Sequence, residues 1–384
     1  MIFETIVSQY DKHNEVILLL FKKFKPKKLV FTISNKDEGL EVLDNYKAIF
    51  PKTKIIFEVI KEGNINDIEN VISKYDSMLI NLVGGERINA LMLFKLALER
   101  NIQSIYVDLL GKIRYVFKDN VRVIDKELDD LYLDDIIEIS GAKIVHDSSE
   151  ICNKPIIINL CKIILKKMDL WHQYKQRLYD NNTFIHNYKD CYKVTINKNK
   201  LNLEELDLVN KSIDYLHKLN GLEFREDDEE IKVTFKNDYL KGFIFKSGTW
   251  LEVLTHMITN EIKEVDEVKS GLIFSWGKDA REIKNELDVV AIRDSVLICI
   301  SCKDSDKYDE DALNELNVYS ERLGGKDTIK ILVATKEPNK TTVRKRAQEM
   351  GIKLIILEKD INKFKKTLRN SILNCYYINP KEIK

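Results

Sequence analysis

The sequence carries no excess of charge of either sign: 62 Lys and Arg balance 62 Asp and Glu, for a formal net charge of +0. A global attraction for polyanions is therefore excluded, and any nucleic-acid site has to be a local concentration of Lys and Arg. Long hydrophobic runs are also missing. The longest candidate, Ile156 to Leu165, is interrupted by Lys162 and falls short of the ~18 residues that a spanning helix needs. With no signal peptide either, the expectation is a cytoplasmic protein without a membrane partner. Cysteine is too thinly placed for a metal array. Of Cys152, Cys161, Cys191, Cys299, Cys302 and Cys375, only Cys299 and Cys302 have metal-type spacing, and no second pair completes a tetrahedral zinc site. No fixed-period repeat or low-complexity tract appears, which sets aside solenoids and linker arrays.

What is present is a globular balance, 44% hydrophobic and 32% charged, spread over 384 residues. That length exceeds the roughly 250–300 residues at which single cores stop growing, so two domains are expected. The first ~125 residues alternate strand-like and helix-like segments, the pattern of a parallel sheet covered by helices. Strands are expected at Phe3–Val7, Lys28–Ile33, Lys54–Ile60, Met78–Leu82 and Ser104–Leu109. Amphipathic stretches fall between them at Asn14–Phe24, Glu38–Ile49, Ile65–Lys74 and Arg87–Arg100. A hairpin, Ile113–Phe117 with Val121–Ile124, follows.

From Glu127 to about Asp238 the pattern turns to helices and a second hairpin. A helix at Leu203–Leu219, then Leu222–Arg225 and Ile231–Phe235 around an acidic turn, reads either as a structural linker or as a winged-helix reader whose acidic turn would repel phosphate. From Leu240 onward a second α/β unit is expected, with a helix at Trp250–Ile262 and strands at Val265–Trp276, Glu286–Arg293 and Val296–Cys302. Helices and strands then alternate to Leu373. The expected division is 1–140, an open α/β domain; 141–238, a connector of helices plus hairpin; and 239–384, a second α/β domain.

Chemistry concentrates in Asn285-Glu286-Leu287-Asp288-Val289-Val290 and Leu297-Ile298-Cys299-Ile300-Ser301-Cys302-Lys303. Side chains alternate along a strand, so Glu286 and Asp288 share one face and Ser301 and Lys303 share one face of the next strand. Charge inside strands otherwise made of Val, Ile and Leu costs free energy unless a metal or partner satisfies it. A carboxylate edge beside a lysine suits phosphodiester hydrolysis with a hard divalent cation, Mg²⁺ or Mn²⁺. Asp288 is the expected central metal ligand. Glu252, in the first turn of the Trp250 helix, would reach the metal directly or through water. Taken alone, the strand fragment also fits solvated edge residues; Glu252 and the ordered blocks tip the balance toward a site.

A helix with Glu, a hairpin with Asp and a strand ending in x-Cys-Lys resemble the restriction-endonuclease-like PD-(D/E)xK fold. More narrowly, Gly248-Thr249-Trp250-Leu251-Glu252, Glu286-Leu287-Asp288-Val289-Val290, Ser301-Cys302-Lys303 and Leu323-Gly324-Gly325 are similar to CRISPR ancillary nucleases with a CARF (CRISPR-associated Rossmann-fold) sensor. The resemblance implies an α/β protein with an N-terminal Rossmann-like CARF domain, a connector and a C-terminal nuclease domain. It further implies a metal-dependent endonuclease of type III CRISPR antiviral defence, cleaving DNA, RNA or both. Glu252 and Asp288 would hold metal, Glu286 would assist and Lys303 would support the water or the phosphate. The general motif has Asp or Glu two residues before the lysine, where this chain has Ser301.

In the N-terminal half, Asn81-Leu82-Val83-Gly84-Gly85-Glu86-Arg87 follows a strand and opens a helix, so its glycines would let backbone N–H groups approach a phosphate. The CARF run usually reads Thr-Gly-Gly-Thr-Lys; Gly84 and Gly85 carry over and Arg87 keeps a positive charge. Ser8, Gln9 and Tyr10 after the first strand, and Thr32 and Ser34 after the second, stand where an open sheet presents ligand contacts or ordinary loop polar groups. The resemblance implies that two such domains pair as a homodimer around cyclic oligoadenylate, cyclic tetra-adenylate in particular. A ligand-responsive nucleic-acid-binding regulator with an inactive nuclease-like domain is the competing reading, and Ser301 favours it.

Overall fold

The computed structural model describes residues 3–11, 13, 15–110, 113–124, 130–246, 248–276, 284–358 and 360–373, except for the side chains of 38–42, 44 and 45. Asn14, Glu127 and Cys375, named above, lie outside the described residues.

Five parallel strands and an antiparallel hairpin build the first sheet. Its spatial order is Lys54–Val59, Lys28–Ile33, Thr5–Gln9, Met78–Asn81, Ser104–Asp108, Ile113–Phe117 and Val121–Ile124. Parallel strands need crossovers, and the amphipathic helices Glu15–Phe24, Lys36–Ile49, Ile65–Ser73 and Arg87–Glu99 supply them. Asn35 and Asn64 cap two of these helices, each side-chain oxygen accepting from N–H groups two or three residues on. Thr5–Gln9 pairs with Lys28–Ile33 on one side and Met78–Asn81 on the other. The strand order therefore reverses there, and ligands of open α/β sheets bind beyond the carboxyl ends of such a switch point.

The first strand differs from its expected span. It runs from Thr5 through Gln9 and all five residues are buried, so Ser8 and Gln9 end the strand and do not follow it. Two apolar positions, Ile6 and Val7, anchor opposite faces in separate clusters, which is how a fully buried parallel strand reads in sequence.

The C-terminal sheet has the order Ile352–Ile356, Ile329–Ala334, Val296–Lys303, Lys284–Arg293, Glu267–Ser275 and Lys143–His146. The last of these comes from residues 143–146, which the sequence pattern places among connector helices. It pairs antiparallel with Glu267–Ser275 through a register shift. Between the two domains in sequence, Leu222–Glu226, Glu230–Phe235, Lys193–Asn197 and Phe184–His186 form an antiparallel four-stranded sheet beside the helix Leu203–Lys218. Phe184, Val194, Ile196, Ile231, Val233 and Phe235 from that sheet pack into one continuous core with Trp250, Leu251, Ile298 and Ile331. Burial of this kind contributes roughly 25 cal/mol per Å² of apolar surface, so the connector is held as firmly as a domain core. No helix among the described residues is long and apolar enough to cross a membrane.

Candidate functional site

Three elements converge at one end of the C-terminal sheet. The helix Thr249–Asn260 is buried almost around its whole circumference, with Trp250, Leu251, Val253, Leu254, Thr255, His256, Ile258 and Thr259 all inaccessible. Glu252, in its first turn, is the acid on an otherwise sealed helix. Strands Lys284–Arg293 and Val296–Lys303 are joined by Asp294-Ser295, both with positive φ (51° and 67°). A two-residue turn of that hand matches the twist of the strands and fixes their register. Arg293 pairs with Val296 and the ladder counts down to Val289 with Ile300.

Beyond that pair the ladder stops and Asp288 takes over. Its Oδ2 accepts from the Cys302 backbone N–H at 2.6 Å and from the Ser301 hydroxyl at 3.1 Å. A carboxylate thus satisfies the strand N–H that the parting backbone leaves unpaired. Both bonds arrive at Oδ2, which leaves Oδ1 as the edge available for ligation. Ser301 stands at the acid position of the general motif and serves as a donor to Asp288. Across the neighbouring strand, Gly271 has φ 56°, and a Cβ there would meet the Ser148 hydroxyl at 2.9 Å and the Glu286 carboxylate at 3.9 Å. A side chain at 271 would be strained by the backbone and would collide with Ser148, beside the carboxylate edge.

Electrostatics show that the charged residues singled out in the sequence share one locus. Burial pushes the Glu252 carboxyl up to about 8, with Asp288 and Glu286 adding to the rise and Lys303 and Lys246 opposing it. Asp288 is also raised by burial, against Lys303, the Cys302 N–H and the Ser301 hydroxyl, which all favour the anion. Two acids held above their ordinary range by burial, Glu252 also by the charge of Asp288, are relieved by a cation between them. The donor set fits a hard divalent ion, since Mg²⁺ takes one or two carboxylates and keeps several waters. Among the described residues no group of three or more His, Cys, Asp or Glu is arranged to hold a metal, so a two-carboxylate site completed by water is what the chain offers.

Sequence periodicity missed Lys246. It caps the helix Asp238–Phe245, is exposed, and its charge reaches Glu252; its place two residues before Gly248 was the available signal. His256, one turn after Glu252, is 2% exposed with neither ring nitrogen hydrogen-bonded, and burial lowers its pKa. It is a core residue.

At the switch point of the first sheet the expected residues divide. Gly84, Gly85 and Arg87 line a cavity of about 770 Å³, whose other wall includes Gly324, Gly325 and Lys326 of the C-terminal domain. Gly84 and Gly85 have φ of 90° and 68°, successive positive-φ positions that favour glycine. A Cβ on Gly85 would lie 2.6 Å from the Gln9 Cβ. Asp11, which the sequence pattern did not single out, accepts from the Gly85 N–H at 2.9 Å, so a carboxylate already sits where an anion is expected.

Ser8 and Gln9 are spent internally. The Ser8 hydroxyl donates to the Gln9 carbonyl and accepts from Asn81, and the Gln9 amide donates to the Gly84 carbonyl. Tyr10 packs edge-on against Phe31. Thr32 is buried, and its carbonyl accepts from the Tyr10 N–H. Ser34 is exposed beyond its strand. None of these five lines the cavity; Ser8 and Gln9 shape the glycine loop from below. Asp11, Glu15, Asp108 and Asp327 line the cavity with Arg87 and Lys326. Burial pushes Glu15 up to about 7, with the charges of Asp11 and Asp327 contributing.

Residues 241–375 match the family described as Card1-like, endonuclease domain. Over nearly its whole length the chain is similar in fold to protein VC1899 from Vibrio cholerae, with a TM-score of 0.70 and 16% identity over 95% of this chain and 97% of that one. It is equally similar to Can2 from Sulfobacillus thermosulfidooxidans, solved in complex with cyclic tetra-adenylate, with a TM-score of 0.69 and 16% identity over 96% and 98%. A type III CRISPR defence DNA nuclease activated by cyclic oligoadenylate matches at TM-score 0.50 and 14% identity, over 89% of this chain and 48% of that one. No curated protein sequence matches.

Proposed function

We propose that this chain, whose C-terminal part is a Card1-like endonuclease domain on a fold shared with Can2, is a cyclic-oligoadenylate-activated, divalent-metal-dependent endonuclease of type III CRISPR defence that cuts DNA, RNA or both. Residues 1–140 act as sensor, 141–238 as connector and 239–384 as nuclease. The observation that carries the reading is the convergence of Asp288, Glu286 and Lys303 on Glu252, whose carboxyl is pushed up to about 8 by burial and by the two other carboxylates.

Glu252 and the Oδ1 edge of Asp288 would hold Mg²⁺ or Mn²⁺. Bound there, the ion lowers the pKa of a water and neutralises charge on the phosphate under attack. Ser301 and the Cys302 N–H keep Asp288 aimed and favour its anion against the cost of burial. Half-buried Lys303 orients the phosphate or the attacking water, while exposed Lys246 gives the mouth of the site a second cation. Glu286 is exposed at the rim and assists through charge.

At the sensor end, the Gly84-Gly85 loop and Arg87 receive a phosphate of the ring, displacing Asp11 from the Gly85 N–H. Two sensor domains pairing as a homodimer would complete a site for cyclic tetra-adenylate, and the shared cavity wall at Gly324, Gly325 and Lys326 gives the occupied loop a direct contact with the nuclease domain. Incubation of labelled single-stranded DNA and RNA with Mn²⁺, with and without cyclic tetra-adenylate, tests both halves. Cleavage only with the ring, lost in Asp288→Ala and Lys303→Ala, is expected. Retarded but intact substrate would select a nucleic-acid-binding regulator instead.

A further inference from the structure

Asp304 follows Lys303 directly, yet its carboxylate has no part in the site described above. Its side chain is 1% exposed, and an isolated buried carboxylate costs several kcal/mol. The structure surrounds it with donors. Oδ2 accepts from the indole N–H groups of Trp250 and Trp171, both at 2.8 Å, and faces the Lys175 ammonium at 3.1 Å. Oδ1 accepts from the Thr335 hydroxyl at 2.8 Å and meets His172 Nε2 at 2.9 Å. Lys175 also donates to the Asp304 backbone carbonyl. Burial pushes the carboxyl up, but the hydrogen bonds from His172, Trp250 and Trp171 and the Lys175 charge outweigh it and hold Asp304 below the usual range.

The donors come from separate elements. Trp250 belongs to the helix that carries Glu252, two residues before it. Trp171 and His172 belong to the connector helix Met168–Tyr174, and Thr335 follows the strand Ile329–Ala334, which pairs with Val296–Lys303. Residues two apart on a helix point to different sides, and Asp304 lies just past the Lys303 strand end, where the chain bends away. Trp250 and Asp304 therefore meet on an anchoring side, while Glu252 and Lys303 are left to face the reactive side.

We propose that Asp304 is a positioning residue of the nuclease centre, its carboxylate locking the first turn of the Glu252 helix to the end of the Lys303 strand and tying both to the connector. The inference rests on Glu252 and Lys303 forming that centre. An amide could not substitute, because Asn offers one acceptor oxygen, and its NH₂ would face donors at the other position. A displacement of about 1 Å between reacting groups is enough to cost ~100-fold in rate, and loss of an outer-shell partner typically costs ~10- to 100-fold in metal affinity or activity.

The test uses the full chain with Mn²⁺ and cyclic tetra-adenylate, and compares wild type with Asp304→Asn and with Trp171→Phe, which keeps the ring packing but removes one indole N–H from the connector alone. Asp304→Asn should lower kcat by ~100-fold with substrate KM unchanged, and weaken Mn²⁺ binding, measured calorimetrically without substrate, by ~10-fold. Trp171→Phe should move both quantities in the same direction by several-fold. Assays run well below each variant's melting temperature, so a purely structural role would leave kcat and Mn²⁺ affinity per folded molecule at wild-type values, and that outcome overturns the proposal. Should Asp304→Asn not fold, unchanged kcat and Mn²⁺ affinity in Trp171→Phe overturn it equally. Glu252→Ala and Lys303→Ala serve as controls: full activity in these would sink the assignment of the centre itself, whereas their inactivity beside an unimpaired Asp304→Asn sinks only the positioning role.

Discussion

Replacing Glu252 by Gln should destroy cleavage and at the same time make the metal-free protein more stable. Burial, with the charges of Asp288 and Glu286, raises the Glu252 carboxyl from 4.5 to about 8. A group raised in the folded state contributes its full stability below the unfolded value, here 4.5, and loses it as the pH climbs through 8. At pH 7.5 the unfolded chain has released this proton and the folded chain has largely kept it. Three pH units at 1.36 kcal/mol each correspond to ~4 kcal/mol of stability lost relative to acid pH. Glutamine mimics the protonated acid and is free of that loss. In EDTA at pH 8, Glu252→Gln should therefore unfold ~5–15 °C above wild type, at a few degrees per kcal/mol, and the gap should close at pH 5. Saturating Mn²⁺, at 100 times its dissociation constant, should restore ~2.7 kcal/mol to wild type and little to the variant. Thermal scans by circular dichroism across pH 5–8.5, with and without Mn²⁺, measure all of this. A variant no more stable than wild type in EDTA at pH 8, or equal stabilisation of both by Mn²⁺, would refute the reasoning.

Two further perturbations address the sensor cavity and the motif departure. Burial pushes Glu15 up to about 7, so wild type should lose ~3 kcal/mol as the pH rises from 4.5 through 7, and Glu15→Gln should flatten that dependence in scans at pH 5, 6, 7 and 8; an unaltered slope would show that the carboxyl is not buried at the domain junction. Ser301→Ala removes the hydroxyl that donates to Asp288, and the loss of a hydrogen bond to a charged acceptor should weaken Mn²⁺ binding and cleavage by ~10-fold; wild-type activity at limiting Mn²⁺ would mean that Ser301 has no role in aiming Asp288.

The alternation that produces a parallel sheet, the hairpin carrying Glu286 and Asp288, and the strand ending at Lys303 were all legible along the chain, because side-chain periodicity is a local property. So was the glycine pair Gly84 and Gly85, since a left-handed backbone asks for glycine wherever it occurs. Ser301 shows the limit of such reading. By motif it is a missing ligand, while in the fold its hydroxyl is one of two donors that hold Asp288. Lys143–His146 looked like connector because nothing in four residues reveals the sheet edge waiting more than a hundred residues later.

What the sequence by itself determined, then, was which side chains share a face of one element: Glu286 with Asp288, Ser301 with Lys303, and Glu252 at the start of its helix. What only the tertiary structure decided was which faces meet. Asp11 reaches Gly85 across 74 positions and Asp304 gathers Trp171, His172 and Lys175 from about 130 positions away. Periodicity carries no information over such separations, because these contacts follow from how the apolar faces of distant elements pack and from the need of each buried polar group for a partner.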